Sequence, residues 1–219
     1  MQNQTALILG ASGLIGHHLL QILLESSHIN KVRALVRHSL DISHPKLEQI
    51  IIDFNDLDKF KESIGKGDFI FSCIGTTMKK VKGDKNLYKK IDFDIPVNAA
   101  RFGLDAGYKK FLLVSAHLAN SNSLIFYNRL KGETEEIIST FPFEAIHIFR
   151  PSFLIGQRKE SRLAELTVGK FMQYISPLLP SAYKPILAAT VAKAMLSAAL
   201  TKDKGIHYHS YQQIIANSN

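Results

Sequence analysis

The residues Gly10-Ala-Ser-Gly13-Leu-Ile-Gly16 follow the apolar run Ala6-Leu-Ile-Leu9 and lead into the helical periodicity of Leu14, Ile15, His18, Leu19, Ile22 and Leu23. Strand, glycine turn and helix in that order constrain the fold more than any other feature of the chain. A backbone that turns sharply without Cβ atoms brings unpaired N–H groups and the positive end of a helix dipole to one point, where a pyrophosphate can lie. Gly10 is expected to make the tight turn, Gly13 to be the position of closest phosphate approach, and Gly16 to let the helix pack on the strand. Ser12 offers a hydroxyl to a phosphate oxygen, and Leu14 and Ile15 complete the cofactor-binding stretch. The spacing is G-x-x-G-x-x-G rather than G-x-G-x-x-G, so the inference rests on the strand before it and the helix after it.

The rest of the chain supplies that context. Lys31–Arg37 reads as a second strand, and its end is where a dinucleotide fold meets the adenosine ribose. A carboxylate there accepts from the 2′-hydroxyl, whereas an arginine pairs with a 2′-phosphate. Val36-Arg37-His38 has no acid, so NADP(H) is expected over NAD(H), with Arg37 as the phosphate ligand and Arg33 as a weaker candidate. Gln49–Phe54 is strand three; Asp53 and Phe54 at its end can flank an adenine, and Asp53 can equally cap a short helix from about Asp58 to Ile64. Asp68–Gly75 is strand four, whose small terminal residues Gly75 and Thr76 form a wall for the cofactor. A helical stretch from Asn86 to Ala106, interrupted at Pro96, leads to strand five, Lys110–Ser115. Phe126–Thr140 is a long helix and Glu144–Arg150 is strand six, followed by Pro151, which is counted with the cofactor-binding residues.

Strands alternating with helices over residues 1–150 predict an α/β, doubly wound parallel sheet, the NAD(P)-binding Rossmann fold. Residues 151–219 are read as a small C-terminal substrate lobe integrated with that domain. It comprises the polar Gly156–Ser161, a helix near Leu163–Ile175, the proline-punctuated Pro177–Pro185, an alanine-rich helix to Leu200, and a strand, Ile206–His209, returning to the sheet.

Tyr127 and Lys131 share one face at the start of the helix after strand five, about a dozen residues beyond Ser115. A free tyrosine, with a pKa near ~10, is a poor acid at neutral pH, and a neighbouring ammonium brings it closer. Lys131 would thus lower the Tyr127 pKa and bind the nicotinamide ribose, Ser115 would polarise a substrate carbonyl, and Tyr127 would deliver the proton. Ser121 and Ser123 lie nearer Tyr127 in sequence and compete with Ser115 for its role.

Composition narrows the alternatives. At 219 residues the chain suits one substantial α/β core. The single Cys73 excludes an intramolecular disulfide and a cysteine metal cluster. The net charge of +8 includes the cluster Lys79, Lys80, Lys82, Lys85, Lys89 and Lys90, read as a solvated face, so a nucleic acid is not expected as a partner. His207 and His209 are read as strand histidines, and no metal site is expected. The first residues lack a leader pattern and Ile186–Leu200 is too short to span a bilayer, so a cytoplasmic protein without membrane contact is expected.

The segments Gly10-Ala-Ser-Gly-Leu-Ile-Gly16, Leu-Val-Arg37, Ile-Asp53-Phe, Cys-Ile-Gly75-Thr-Thr, Val-Ser115, Phe-Tyr127-Asn-Arg-Leu-Lys131-Gly-Glu and Phe-Arg150-Pro-Ser resemble the atypical short-chain dehydrogenase/reductases. Within them the chain is most similar to the Tat-interacting-protein oxidoreductase group. The resemblance covers the chain to about Pro180 and implies a Rossmann fold, NADP(H) binding and carbonyl reduction. Two functions follow as expectations: an NADP(H)-dependent oxidoreductase of a small carbonyl or alcohol, as monomer or homodimer, or a non-catalytic NADPH-binding regulator that binds a protein partner.

Overall fold

The computed structural model describes residues 4–155 and 184–218. The predicted Gly156–Ser161 stretch, the helix near Leu163–Ile175 and most of Pro177–Pro185 lie outside the described residues. Along the chain run β1 (Gln4–Leu9), α1 (Leu14–Glu25), β2 (Ile29–Val36), β3 (Leu47–Ile51), α2 (Leu57–Ile64), β4 (Phe69–Ser72) and α3 (Lys85–Lys89). A π-helical turn (Lys90–Asp94) then joins α3 to α4 (Ile95–Asp105), followed by β5 (Lys110–Val114), α5 (Phe126–Ser139), β6 (Ala145–Phe149) and β7 (Leu154–Ile155). After the undescribed stretch come β8 (Ile186–Leu187), α6 (Ala188–Leu200), β9 (Gly205–His209) and α7 (Tyr211–Ala216).

Ala6 and Ile8 of β1 point to one side of the sheet and Leu7 and Leu9 to the other, and all four are fully buried. A strand apolar on both faces belongs in the middle of a covered parallel sheet. The seven strands run in the order β3-β2-β1-β4-β5-β6-β9, all parallel. One face is covered by α1 through Leu19, Leu20 and Leu23, by α6 through Val191, Met195 and Ala198, and by Ile214 of α7. The opposite face takes Phe60 and Ile64 of α2, Ala99 and Phe102 of α4, and Ile138 of α5. The doubly wound fold read from the sequence is therefore the observed one. Residues 188–216 of the predicted lobe complete its layers and its last strand, while β7 and β8 form a separate parallel pair.

Pro96 does not interrupt the helical stretch. It sits in the first turn of α4, where a missing N–H is tolerated. The wide turn ahead of it closes with Ile95 N–H donating to the carbonyl of Lys90, and this turn is where the helix accommodates the proline.

The far edge of the sheet contains a histidine cluster. Register places His147 of β6 opposite His207 and Phe149 opposite His209. The His147 ring stacks on His207 at 4.9 Å between centroids, and His209 stacks on Phe149 at 4.4 Å. His147 Nδ1 and His209 Nε2 share one hydrogen across 3.0 Å, so the accepting ring is neutral and at most one of the two can carry a charge. Lys110 is buried nearby, its ammonium donating to the carbonyls of Ala199 and Thr201 at the end of α6, where a cation meets the negative end of the helix dipole.

Burial pushes His147 down to about 3 and His209 down to about 4, with the neighbouring histidines adding to the effect. Above the ordinary histidine pKa of ~6.5 both states are neutral and nothing is lost. As pH falls below it, the unfolded chain takes up protons that the folded chain refuses. Stability is thus expected to drop from about pH 6.5 towards pH 4, by up to about 1.4 kcal/mol per pH unit for each histidine. Urea unfolding across this range measures the slope, and His147→Gln is expected to reduce it.

Candidate active site

The first βα turn is shaped by contacts that exclude side chains. Gly10 has φ of +80°, and a Cβ on it would lie 2.5 Å from the carbonyl oxygen of Cys73. A Cβ on Gly16 would lie 2.1 Å from the Gly10 carbonyl oxygen, so α1 rests directly on the turn. Gly13 is the N-cap of α1; it supplies no side-chain cap, and the first turn holds no acid. By contrast, Asp56 caps α2 and Asp84 caps α3. The N–H groups at the start of α1 are thus left to an outside anion, with Ser12 exposed beside them and Leu14 and Ile15 inside the first turn. This cradle fits a dinucleotide pyrophosphate.

Along the carboxyl edge, Arg37 is exposed immediately beyond β2 and makes no ion pair among the described residues. Arg33 is not available as a phosphate ligand: its Nε meets Glu48 at 2.7 Å and its Nη1 donates to the Ile64 carbonyl at 2.9 Å. Asp53 is exposed and accepts from both the backbone and the side-chain N–H of Asn55, which hold its carboxyl below the usual range. It does not cap α2, since Asp56 lies closer to the helix and accepts from Lys59 N–H. Phe54 packs edge-on against Phe60 at 4.9 Å.

The next group of residues gathers around Asp92 in the π-helical turn. Its carboxylate accepts the Thr76 N–H at 2.8 Å and pairs with the Lys131 ammonium at 3.1 Å, and both charged side chains are almost fully buried. Tyr88 donates to the Thr76 carbonyl at 3.1 Å, and burial, with Asp92 and Tyr127 nearby, pushes its hydroxyl pKa up. Gly75 is exposed at the lip beside them. Tyr127 stands one turn before Lys131, 39% exposed, and its hydroxyl has no hydrogen bond to a described residue. Sequence reasoning missed Asp92. Its signal was an acid within the buried half of a helical stretch, four residues before a proline. Asn98, by comparison, accepts from Arg101 on the helix surface.

Ser115 is not brought to Tyr127. It is buried, and its hydroxyl donates to Glu135, which also takes a bidentate pair from Arg150. With its one hydrogen given to a carboxylate, Ser115 cannot polarise a substrate carbonyl in this arrangement. Ser121 likewise donates to Glu136, whereas Ser123 accepts from Ile125 N–H at 3.2 Å. Pro151 is buried and its carbonyl accepts from His117 N–H. The guanidinium of Arg150 lies 4.6 Å from the ring of Tyr208, and a cleft of about 320 Å³ opens there, bordered by neither the glycine turn nor Tyr127.

Comparison with known proteins agrees with this geometry. The profile of a family described as NAD(P)H-binding matches residues 10–138. The chain is 31% identical to Protein HTATIP2 of Rattus norvegicus over 208 residues, 94% of this chain and 85% of that protein. It is 31% identical to the mitochondrial protein FMP52 of Candida albicans over 217 residues, 95% of this chain and 92% of that protein. Among solved structures, the Bordetella bronchiseptica enzyme WbmH in complex with NAD+ superposes with a TM-score of 0.74 at 17% identity, covering 95% of this chain and 76% of that one. The fungal relatives named mitochondrial overturn the plain cytoplasmic expectation. A leader pattern and a spanning helix were the only sequence cues to location, and neither detects every route of targeting. Among the described residues no helix is long and apolar enough to cross a membrane.

Asp92→Ala would leave the Lys131 ammonium buried and unpaired, a loss of about 3–5 kcal/mol for a broken buried pair. Joint replacement by Asp92→Leu and Lys131→Met is expected to recover much of that loss. Urea midpoints of the single and double variants measure both, and an unchanged midpoint for Asp92→Ala would contradict the pairing.

Proposed function

The chain belongs to the NAD(P)H-binding family, in the group that holds HTATIP2, and from that premise we propose that it is an oxidoreductase that uses NADP(H) on a small carbonyl or alcohol substrate. The observation carrying the cofactor choice is the exposed Arg37 at the end of β2, unpaired among the described residues, where an acid would select NAD. Gly10, Ser12, Gly13, Leu14, Ile15 and Gly16 would hold the pyrophosphate, with Asp53 and Phe54 near the adenine, and Gly75, Thr76 and Pro151 along the wall. When bound, the cofactor supplies or accepts the hydride.

The chain's own part is binding and proton movement. In the reducing direction, Tyr127 gives its hydroxyl proton to the developing alkoxide oxygen of the substrate; in the oxidising direction it takes that proton back. Lys131 is held by Asp92 so that its ammonium stays fixed one turn below, positioned for the cofactor ribose. Ser123, whose hydrogen is not given to a carboxylate, is the better placed of the three serines to polarise the carbonyl.

One observation favours a second reading. Ser115 is locked to Glu135, as suits a protein that binds NADPH and signals to a protein partner without turning over substrate. Two measurements decide. Arg37→Ala is expected to weaken NADPH binding by about 1.5–3 kcal/mol and leave NADH almost unchanged; equal losses in calorimetric titration would refute the NADP(H) assignment. Tyr127→Phe is expected to abolish reduction of any carbonyl the wild type accepts, at unchanged NADPH affinity. Undiminished turnover in that variant would refute Tyr127 as the proton donor, and no turnover by the wild type across a carbonyl panel supports the regulator.

A further inference from the structure

Residues 77–90 and 124–127 form one exposed surface beside the mouth of the site. Lys79, Lys80, Lys82, Lys85, Lys89 and Lys90 are all exposed, none is ion-paired among the described residues, and Asp84 is the only acid among residues 77–90. Asp84 is itself occupied with capping α3. The apolar part joins this basic part directly, since Phe126 meets the Tyr88 ring edge-on at 5.6 Å and lies under the Lys85 ammonium at 5.6 Å. From that junction Leu124 and Ile125 project into solvent, 97% and 62% exposed, with Met78 and Leu87 also exposed.

Helix α5 begins there without a side-chain cap, as α6 does at Leu187. Its N-cap is Ile125, which provides no side-chain hydrogen bond, although isoleucine is among the poorest residues at that position. The open helix terminus adds its positive end to the lysines beside it.

We propose that this surface docks the protein peripherally on an anionic phospholipid bilayer, the lysines meeting headgroup phosphates and Leu124 and Ile125 entering the acyl boundary. Stable anchoring takes two signals, a basic patch and an apolar insertion, and both are present together. The inference departs from the sequence expectation of no membrane contact and from the reading of this lysine cluster as a solvated face. It is independent of the proposed chemistry. A nucleic acid fits less well, because the exposed tips are aliphatic and Tyr88, the aromatic within the lysine run, is buried. The chain's own residues 156–183 fit less well too, since they carry four basic against two acidic side chains and would meet a surface of like charge.

The test is co-sedimentation of the full chain with phosphatidylcholine vesicles, pure or mixed with phosphatidylserine. Wild type is expected to prefer the mixed vesicles by roughly 100-fold, and the triple variant Lys79→Ala/Lys80→Ala/Lys82→Ala to lose most of that preference. Leu124→Asp/Ile125→Asp is expected to lower binding at least about tenfold, while melting no lower than wild type because aspartate is the better N-cap. Equal binding to both vesicle types overturns the proposal. So does an unaffected Leu124/Ile125 variant, or tight duplex DNA binding that this variant retains. A fall of its thermal midpoint would show that the pair is covered by the chain's own residues, and overturns the proposal as well.

Discussion

The ion pair between Asp92 and Lys131 holds together the edge of the sheet beside Tyr127. It joins the π-helical turn after α3 to the first turns of α5, elements that no backbone hydrogen bond of the sheet connects. Two charges withdrawn from water gain little net stability, but each is strongly unfavourable without the other. The pair therefore specifies one arrangement more than it stabilises the domain. Thr76 is drawn into the same arrangement through its N–H, so the end of β4, the wide turn and the Tyr127 helix share one polar centre.

The helix widens at Asp92 because of the proline that follows. A regular helix with Pro96 in its interior would leave a carbonyl without its donor. Widening the preceding turn places the proline at the start of α4 instead. The turn bearing Asp92 thus follows from a backbone constraint, and the carboxylate makes use of it.

The parallel sheet and the glycine turn were legible from the chain because each depends on local pattern: apolar runs, helical periodicity, and glycines between a strand and a helix. The fold then shows what the glycines are for, since a Cβ on Gly16 would collide with the Gly10 carbonyl. Tyr127 and Lys131 were legible because they share one helix. What could not be read were partnerships across the fold. Asp92 with Lys131, Ser115 with Glu135 and Arg150, Arg33 with Glu48, and His147 with His209 all join residues whose proximity is set by the topology and by no spacing in the sequence. Ser115 in particular has the right residue type at the right strand end, and only its buried carboxylate neighbour shows where its hydrogen goes.

The last described elements have a consequence for how the protein comes into being. Helix α6 covers α1, and β9 closes the edge of β6, so elements far apart in sequence meet on one face of the sheet. During synthesis the glycine turn emerges early, yet the helix it depends on keeps a bare apolar side until residues 188–216 have left the ribosome. Until then β6 presents open backbone to any passing strand. Cofactor capture by the nascent chain would have to wait for α6 and α7. Truncations that spare every residue of the proposed site would still cost the protein its function by leaving α1 without its cover.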